Sequence, residues 1–394
     1  MNRKLKKIAA VSIILFLVLL VFTPFSAGAD SGQIIDLGDE IEDILAGQLE
    51  SSGAYELFDE IPSETEEYME ELGITDISIS SILSININQV FDLVIKIIKD
   101  YFRGISGIFA TIMGVIVISV IVDIMKDDFL SSKIGEVFGI VSVLCLVTIV
   151  STPIISVINK VINAIESGTV FISALLPVLS GVMMAGGQVV TGTTYNLLIY
   201  GVCQAVSGLA STVIVPLISI YLGFCITSSV STKMNLDGAA KNIKSLASWM
   251  LGLAVTVFVG ILTAQTLVTT SADSAISKAG KFLVNSTVPI IGGPLSDAVA
   301  TVQGCLALIK NIVGVFGIFS AFLIFLPVLL ECLMWMALLQ VTAFVADMFS
   351  INSIATLMRS VCSAMSLLCT VLICSGVLVI ISTTVVLLLG GRGV

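Results

Sequence analysis

Residues 312–345, IVGVFGIFSAFLIFLPVLLECLMWMALLQVTAFV, contain one charged residue, Glu331, in 34 positions. As a helix rising ~1.5 Å per residue the run would reach about 51 Å, against roughly 30 Å for the hydrocarbon core of a bilayer. A water-soluble core cannot absorb so much apolar surface, so the run reads as membrane helix: a strongly tilted or extended one, or a tight helical pair. Residues 195–228, also 34 long, read the same way. Around these lie more regular spans near 104–123, 134–158 and 248–270, with a final one inside 361–390. Two further apolar stretches are interrupted, 168–186 by Pro177, Gly181, Gly186 and the adjoining Gly187, and 282–303 by Pro289, Gly292, Gly293 and Pro294. The expected fold class is all-α, a polytopic integral membrane protein with broken or re-entrant Pro/Gly helices.

Composition points the same way. Of 394 residues, 57% are hydrophobic and 12% charged, and the mean hydropathy is +1.11, far outside the soluble range. Charge is partitioned: residues 1–29 carry +4, residues 30–100 carry −16 and residues 101–394 carry +2. The acidity therefore belongs to one small segment, and nothing resembles a phosphate-binding stripe, which speaks against nucleic acid as a partner. All eight cysteines fall in apolar stretches, where they read as small buried hydrophobes. Histidine is absent from the sequence, which removes His-based triads, His metal sites and imidazole acid–base chemistry.

The N-terminus begins with Arg3, Lys4, Lys6 and Lys7, continues as an apolar run from Ile8 to Phe22, and reaches Ser26-Ala27-Gly28-Ala29 before Asp30. Ala27-x-Ala29 has the small-residue form signal peptidase needs, so we expect a cleaved signal peptide rather than an anchor helix, and residue 30 lies across the membrane in either case. From Gln33 to Leu49, Ile34, Leu37, Ile41, Ile44, Leu45 and Leu49 recur at three- and four-residue spacing among five acids, the pattern of an amphipathic helix seeking a partner surface. A short acidic helix, Glu64 to Leu72, is expected to end at Gly73. Beyond it, Val90, Phe91, Val94, Ile95, Ile98 and Phe102 form an apolar stripe leading into the first span.

The long and interrupted stretches pair at a common offset: Pro177 with Pro289, Leu198-Ile199 with Leu308-Ile309, and Pro216 with Pro327 are separated by about 111 residues. An internal duplication follows. The expected division is a signal peptide over 1–29, an acidic extracytoplasmic segment over 30–103, a first span and loop over 104–133, repeat units over 134–228 and 248–346 separated by a basic loop over 229–247, and a loop and final span over 347–394. If residue 30 is outside, Lys233, Lys241 and Lys244 belong inside under the positive-inside rule, and an even number of crossings separates 134 from 228. Two full spans plus a re-entrant segment at 168–190 satisfy this and make the units parallel; three full spans would invert them.

Charges inside apolar helices are costly and are the sharpest candidates for chemistry. Glu331 is either part of an ion or proton path or an interfacial carboxylate helped by Pro327. Asp297 reads as a helix cap or a polar-path residue, and Lys310 with Asn311 follows 13 residues later. No Walker loop, cysteine pair at metal-ligand spacing or nucleophile elbow occurs. No cofactor or metal site is therefore expected, and an enzyme reading has no arrangement of residues behind it.

The order of features is more specific than its parts: a signal peptide, an acidic helical segment, Leu175-Leu176-Pro177 followed by Gly186-Gly187, then Lys281-Phe282, Val288-Pro289-Ile290, Asp297-Ala298 and Leu308-Ile309-Lys310-Asn311-Ile312-Val313-Gly314. The chain resembles the stage III sporulation protein AE family of endospore-forming bacteria. The resemblance implies a permease-like protein of the mother-cell membrane around the forespore, in a secretion-system-like channel or feeding complex with the other stage III A operon membrane proteins and stage II protein Q. Two alternatives stand beside that expectation: a membrane scaffold without conduction, and an independent secondary transporter using Glu331 or Asp297.

Overall fold

The computed structural model describes residues 47–78, 81, 86–128, 132–230, 236–287 and 292–390. Among these there is no strand. A short acidic helix α1, Ser63–Glu71, precedes long rods: α2 (Ile87–Asp128), α3 (Ser132–Ala185), α4 (Val189–Leu209) continued through a π turn at Ala210–Ile214 into α5 (Val215–Val230), α6 (Asp237–Thr287), α7 (Gly292–Met348) and α8 (Asn352–Gly390). Six of the described helical stretches are long and apolar enough to cross a membrane.

The rods alternate in direction. Ser119 and Asp123 of α2, Phe138 of α3, Ser229 of α5 and Asn352 of α8 line one cleft, which defines the lower end of the bundle. At the upper end Asp273 of α6 meets the first turn of α4, and Lys310 of α7 meets the last turn of α8. Turn chemistry explains the reversals. Gly187 takes a positive φ of 86°, and the backbone bonds Gln188 N to Met183 O and Gly187 N to Met184 O close α3 in a Schellman motif. Gly73 ends α1 in the same way, as its sequence suggests. Ser350 does so after α7, at φ 58°, where a side chain costs more than a glycine would.

Two expectations are corrected, and one open alternative is decided. The expected break at Pro177 does not occur, because Pro177 and Pro153 both lie inside the 54-residue α3. Residues 168–185 are therefore the upper part of that helix and not a re-entrant segment. The 34-residue runs are each one extended course rather than a helical pair, with Pro327 inside the 57-residue α7. The reason is the same throughout: a proline removes one intrahelical hydrogen bond, but a helix packed along its length retains the rest. Hydroxyls near Pro177 also return bonds to the backbone, Ser173 to Thr169 O at 2.7 Å and Ser180 to Pro177 O at 3.0 Å. Before Pro216 the chain widens into the π turn, which gives the ring room. Ala27, Ala29, Pro289 and the amphipathic stretch up to residue 46 lie outside the described residues.

α7 is the packing centre, touching α8, α3, α2, α6 and α1. Its close approaches are built from glycines opposite large side chains. A Cβ at Gly168 of α3 would stand 2.6 Å from the Phe325 ring, and one at Gly376 of α8 would stand 3.2 Å from the same ring. In the other direction Leu175 of α3 fills the space over Gly317, and Leu387 of α8 that over Gly314. Phe325 thus seats between two neighbouring helices while α7 receives a side chain from each of them, an interlock in which volume is matched on both sides.

Candidate functional site

Glu331, the charge that interrupts the apolar course of α7, is buried, with its side chain 8% exposed. Its carboxylate accepts a 2.7 Å hydrogen bond from the Lys160 ammonium of α3, whose side chain is 42% exposed. Lys160 also lies 5.1 Å from the centre of the Tyr101 ring of α2. Three helices therefore meet at one ion pair, which reaches solvent on the lysine side. The sequence marks this level faintly: Lys160 ends the apolar run of 134–158, but a pairing across 171 residues leaves no local signal.

Lys310 has a different use. Its ammonium is buried and donates to the carbonyl oxygens of Val386 and Leu387, at 3.3 and 3.4 Å, in the last turns of α8. These carbonyls lie at the negative end of the helix dipole, so Lys310 is a C-terminal cap supplied by a neighbouring helix. Asp273, which sequence reasoning did not single out, is its counterpart at an N-terminus. Its two carboxylate oxygens accept from Val190 N at 3.1 Å and Thr191 N at 2.9 Å, in the first turn of α4. With Tyr195 hydroxyl donating to Ser382 O, these contacts tie together the upper ends of α4, α6, α7 and α8.

The predicted polar residues do not converge on one site. Lys310 and Glu331 stand 21 residues apart on the same helix, about 32 Å along its axis. Asn311 is exposed. Asp297, Gly292 and Gly293 fall in the first turns of α7. Pro177 and Gly181 sit inside α3, whereas Gly186 and Gly187 form the turn beyond it, with Gly187 facing Gln303 of α7. At the lower end Arg359 donates to Asp347, a bridge between α7 and α8, and Lys244 of α6 donates to the Ser363 hydroxyl of α8 at 2.7 Å. The cleft there has a volume of about 300 Å³ and carries Ser119, Asp123, Ser142, Ser229 and Ser353. No cluster of three His, Cys, Asp or Glu side chains suited to a metal occurs among the described residues.

Outside the apolar rods, α1 packs on α7, and Phe58 just before it meets Phe316 in a tilted ring contact with centres 5.2 Å apart. Glu71 pairs with Lys96 of α2 at 2.8 Å. Burial, followed by the carboxylates of Glu64 and Glu67, pushes the Tyr68 phenol above its ordinary range. An acidic, water-adapted layer is thus fixed against the upper half of α7.

Long apolar rods with paired or capped charges define a polytopic α-helical membrane protein. Over residues 73–390 the chain matches the family model of stage III sporulation protein AE, and it belongs to that family. It is 24% identical over 208 residues to the stage III sporulation protein AE of Bacillus subtilis (strain 168), an alignment covering 53% of this chain and 52% of that protein. The alignment thus spans about half the length of that curated relative. No solved structure matches.

Proposed function

We propose that the chain acts in sporulation as an integral-membrane subunit of the assembly made with the other stage III A proteins. In this reading it lies in the mother-cell membrane around the forespore, with its acidic layer in the intermembrane space and within reach of stage II protein Q. The helical domain flanks the path of the channel or feeding complex. The observation that carries the reading is the division of the bundle at the Lys160–Glu331–Tyr101 level.

Below that level, Tyr101 to Asp123 on α2 and Phe138 to Lys160 on α3 each span 22 residues, about 33 Å, which fits one hydrocarbon core. Above it, α2 carries Asp92, Lys96, Lys99 and Asp100, and the acidic layer packs on α7. Hydrocarbon cannot occupy that side. The upper part of α7, uncharged from residue 312 to 330, is instead enclosed by protein through its glycine interlocks. A subunit with one lipid-facing half and one rigid projecting half is suited to holding partners across an aqueous gap. Corresponding helix pairs, α3 with α4–α5 and α6 with α7, each rise and then return, which supports reading them as parallel duplicated units. A signal peptide delivering residue 30 to the projecting side completes the topology.

The closed packing around α7 supports reading any conducted path as running between the bundle and its neighbours rather than along α7. Replacing Glu331 by Gln separates this from an independent transporter. A subunit that assembles should keep its partners and support spores at near-normal frequency; a transporter should accumulate and co-purify normally yet fail to support spores. The second outcome would overturn the assembly reading.

A further inference from the structure

The upper half of α2 has two apolar faces, and only one is used. Val90, Leu93 and Ile97 are buried against the bundle. On the other face Ile87, Phe91, Ile95, Ile98 and Phe102 follow one another at intervals of four, four, three and four residues and are exposed, Phe91 by 59% and Phe102 by 64%. That spacing makes one continuous helical stripe, the kind of seam a second amphipathic helix fills. Asp92, Lys96, Lys99 and Asp100 lie within the same turns, above the Tyr101 level, so lipid chains do not supply the cover over residues 87–98. An apolar strip of this size left to water marks an interaction surface.

We infer that the stripe is covered by residues 33–46 of the same chain, docked as an amphipathic helix along α2. Three matches point to this occupant. Ile34, Leu37, Ile41 and Ile44 recur at intervals of three, four and three residues, the complement of the stripe. As a helix the 14 residues would measure about 21 Å, against about 24 Å for the 16 residues 87–102. Asp36, Asp39, Glu40, Glu42 and Asp43 surround the apolar positions, and the flank of the stripe on α2 carries exposed Lys99 and Arg103 against one acid, Asp92. The tether also favours it: residue 47 begins the described chain, Leu49 is buried in the acidic layer two residues on, and that layer is held to α2 by Glu71–Lys96. A segment so anchored meets the stripe at a far higher effective concentration than a separate chain would. The same docking leaves the acidic residues pointing outward, so it would present a negative surface to any further partner.

The inference rests on the bilayer level proposed above, and the test separates the two. A benzophenone amino acid placed at Ile95 in the full-length membrane protein is irradiated, and its adducts are mapped by mass spectrometry in a mixture of isotopically light and heavy copies. The expected adduct joins residue 95 to a peptide within 33–46 of the same copy. An adduct to the other copy, or to another protein, would overturn the occupant while leaving the bilayer level standing. An adduct to a lipid acyl chain would overturn the level itself. Independently, Ile98→Cys should react with a membrane-impermeant maleimide about tenfold faster once 33–46 are deleted, or once Leu37 and Ile41 are both replaced by Asp. Equal rates in all three backgrounds would sink the proposal.

Discussion

Glu331 shows how one charge persists in an apolar helix: its carboxylate is withdrawn from water, and Lys160 reaches it while keeping contact with solvent. Removing the lysine alone strands the carboxylate, whereas removing both partners leaves only a packing change. Lys160→Met should therefore cost about 2 kcal/mol, less than a fully desolvated pair would because the lysine is half exposed. Adding Glu331→Met should recover most of the loss. Thermal unfolding of the two single variants and the double variant in one detergent gives the coupling directly. Additive losses would mean that the pair does not act as a unit. Asp273 invites a parallel test, since its two hydrogen bonds serve amides that have no partner within α4. Asp273→Ala should lose about 1–2 kcal/mol, with hydrogen exchange rising first at Val190 and Thr191. Exchange rising evenly over the bundle would instead indicate general loosening. Glu331 is visible in the sequence because a lone charge in 34 apolar positions stands out. Asp273 is not, because it lies among polar residues of the Thr269–Ser274 stretch and acts on a helix 82 residues away.

That the apolar stretches are helices was legible from their length, but helix boundaries were not. Pro177 and the glycines after it suggested a break, yet Gly187 alone reverses the chain, and Gly168, Gly314, Gly317 and Gly376 serve close packing instead. A glycine that permits a turn and one that receives a neighbour's side chain look alike in sequence; only the facing residue distinguishes them. Phe325 is the informative case, because its ring is bounded by Gly168 on one side and Gly376 on the other and so cannot swing clear of an added methyl. Gly168→Ala should destabilise by about 1–3 kcal/mol through overpacking, and Phe325→Leu in the same chain should restore part of it by returning volume. Unfolding midpoints test this, and a Gly168→Ala variant as stable as the parent would show that the interlock is loose. The turn at Ser350 works in the opposite direction. Its left-handed φ closes a Schellman motif without the glycine such a position favours, so Ser350→Gly should stabilise the α7–α8 hairpin by roughly 0.5–1 kcal/mol. An unchanged or lowered midpoint would assign the serine hydroxyl a compensating contact.

At the scale of the whole molecule, the governing fact is that its apolar rods are longer than a bilayer is thick. The 54 residues of α3 reach about 81 Å, so hydrophobicity alone cannot say which part meets lipid. The bilayer level proposed above assigns the two parts by burial and neighbouring charge. Val141, near the lower end of α3, is exposed in a region flanked by apolar faces of α2, while Val170, ten residues beyond Lys160, is exposed in the half that carries the acidic layer. The two valines are 29 residues apart on one helix, about 43 Å, and an upright helix cannot hold both in a core of roughly 30 Å. A fluorophore at Val141→Cys should accordingly be quenched by lipids carrying a spin label on the acyl chain, and one at Val170→Cys should be quenched by a water-soluble agent or shielded by a bound partner. The comparison is best made in nanodiscs with the purified chain and again with its assembly partners present, because protection at Val170 that appears only with partners would locate an assembly surface on α3. Quenching by lipid at Val170 but not at Val141 would move the bilayer to the other half of the bundle. That result would turn α7 from 312 to 330 into the membrane span, and the acidic layer packed against it would then have no aqueous place to lie.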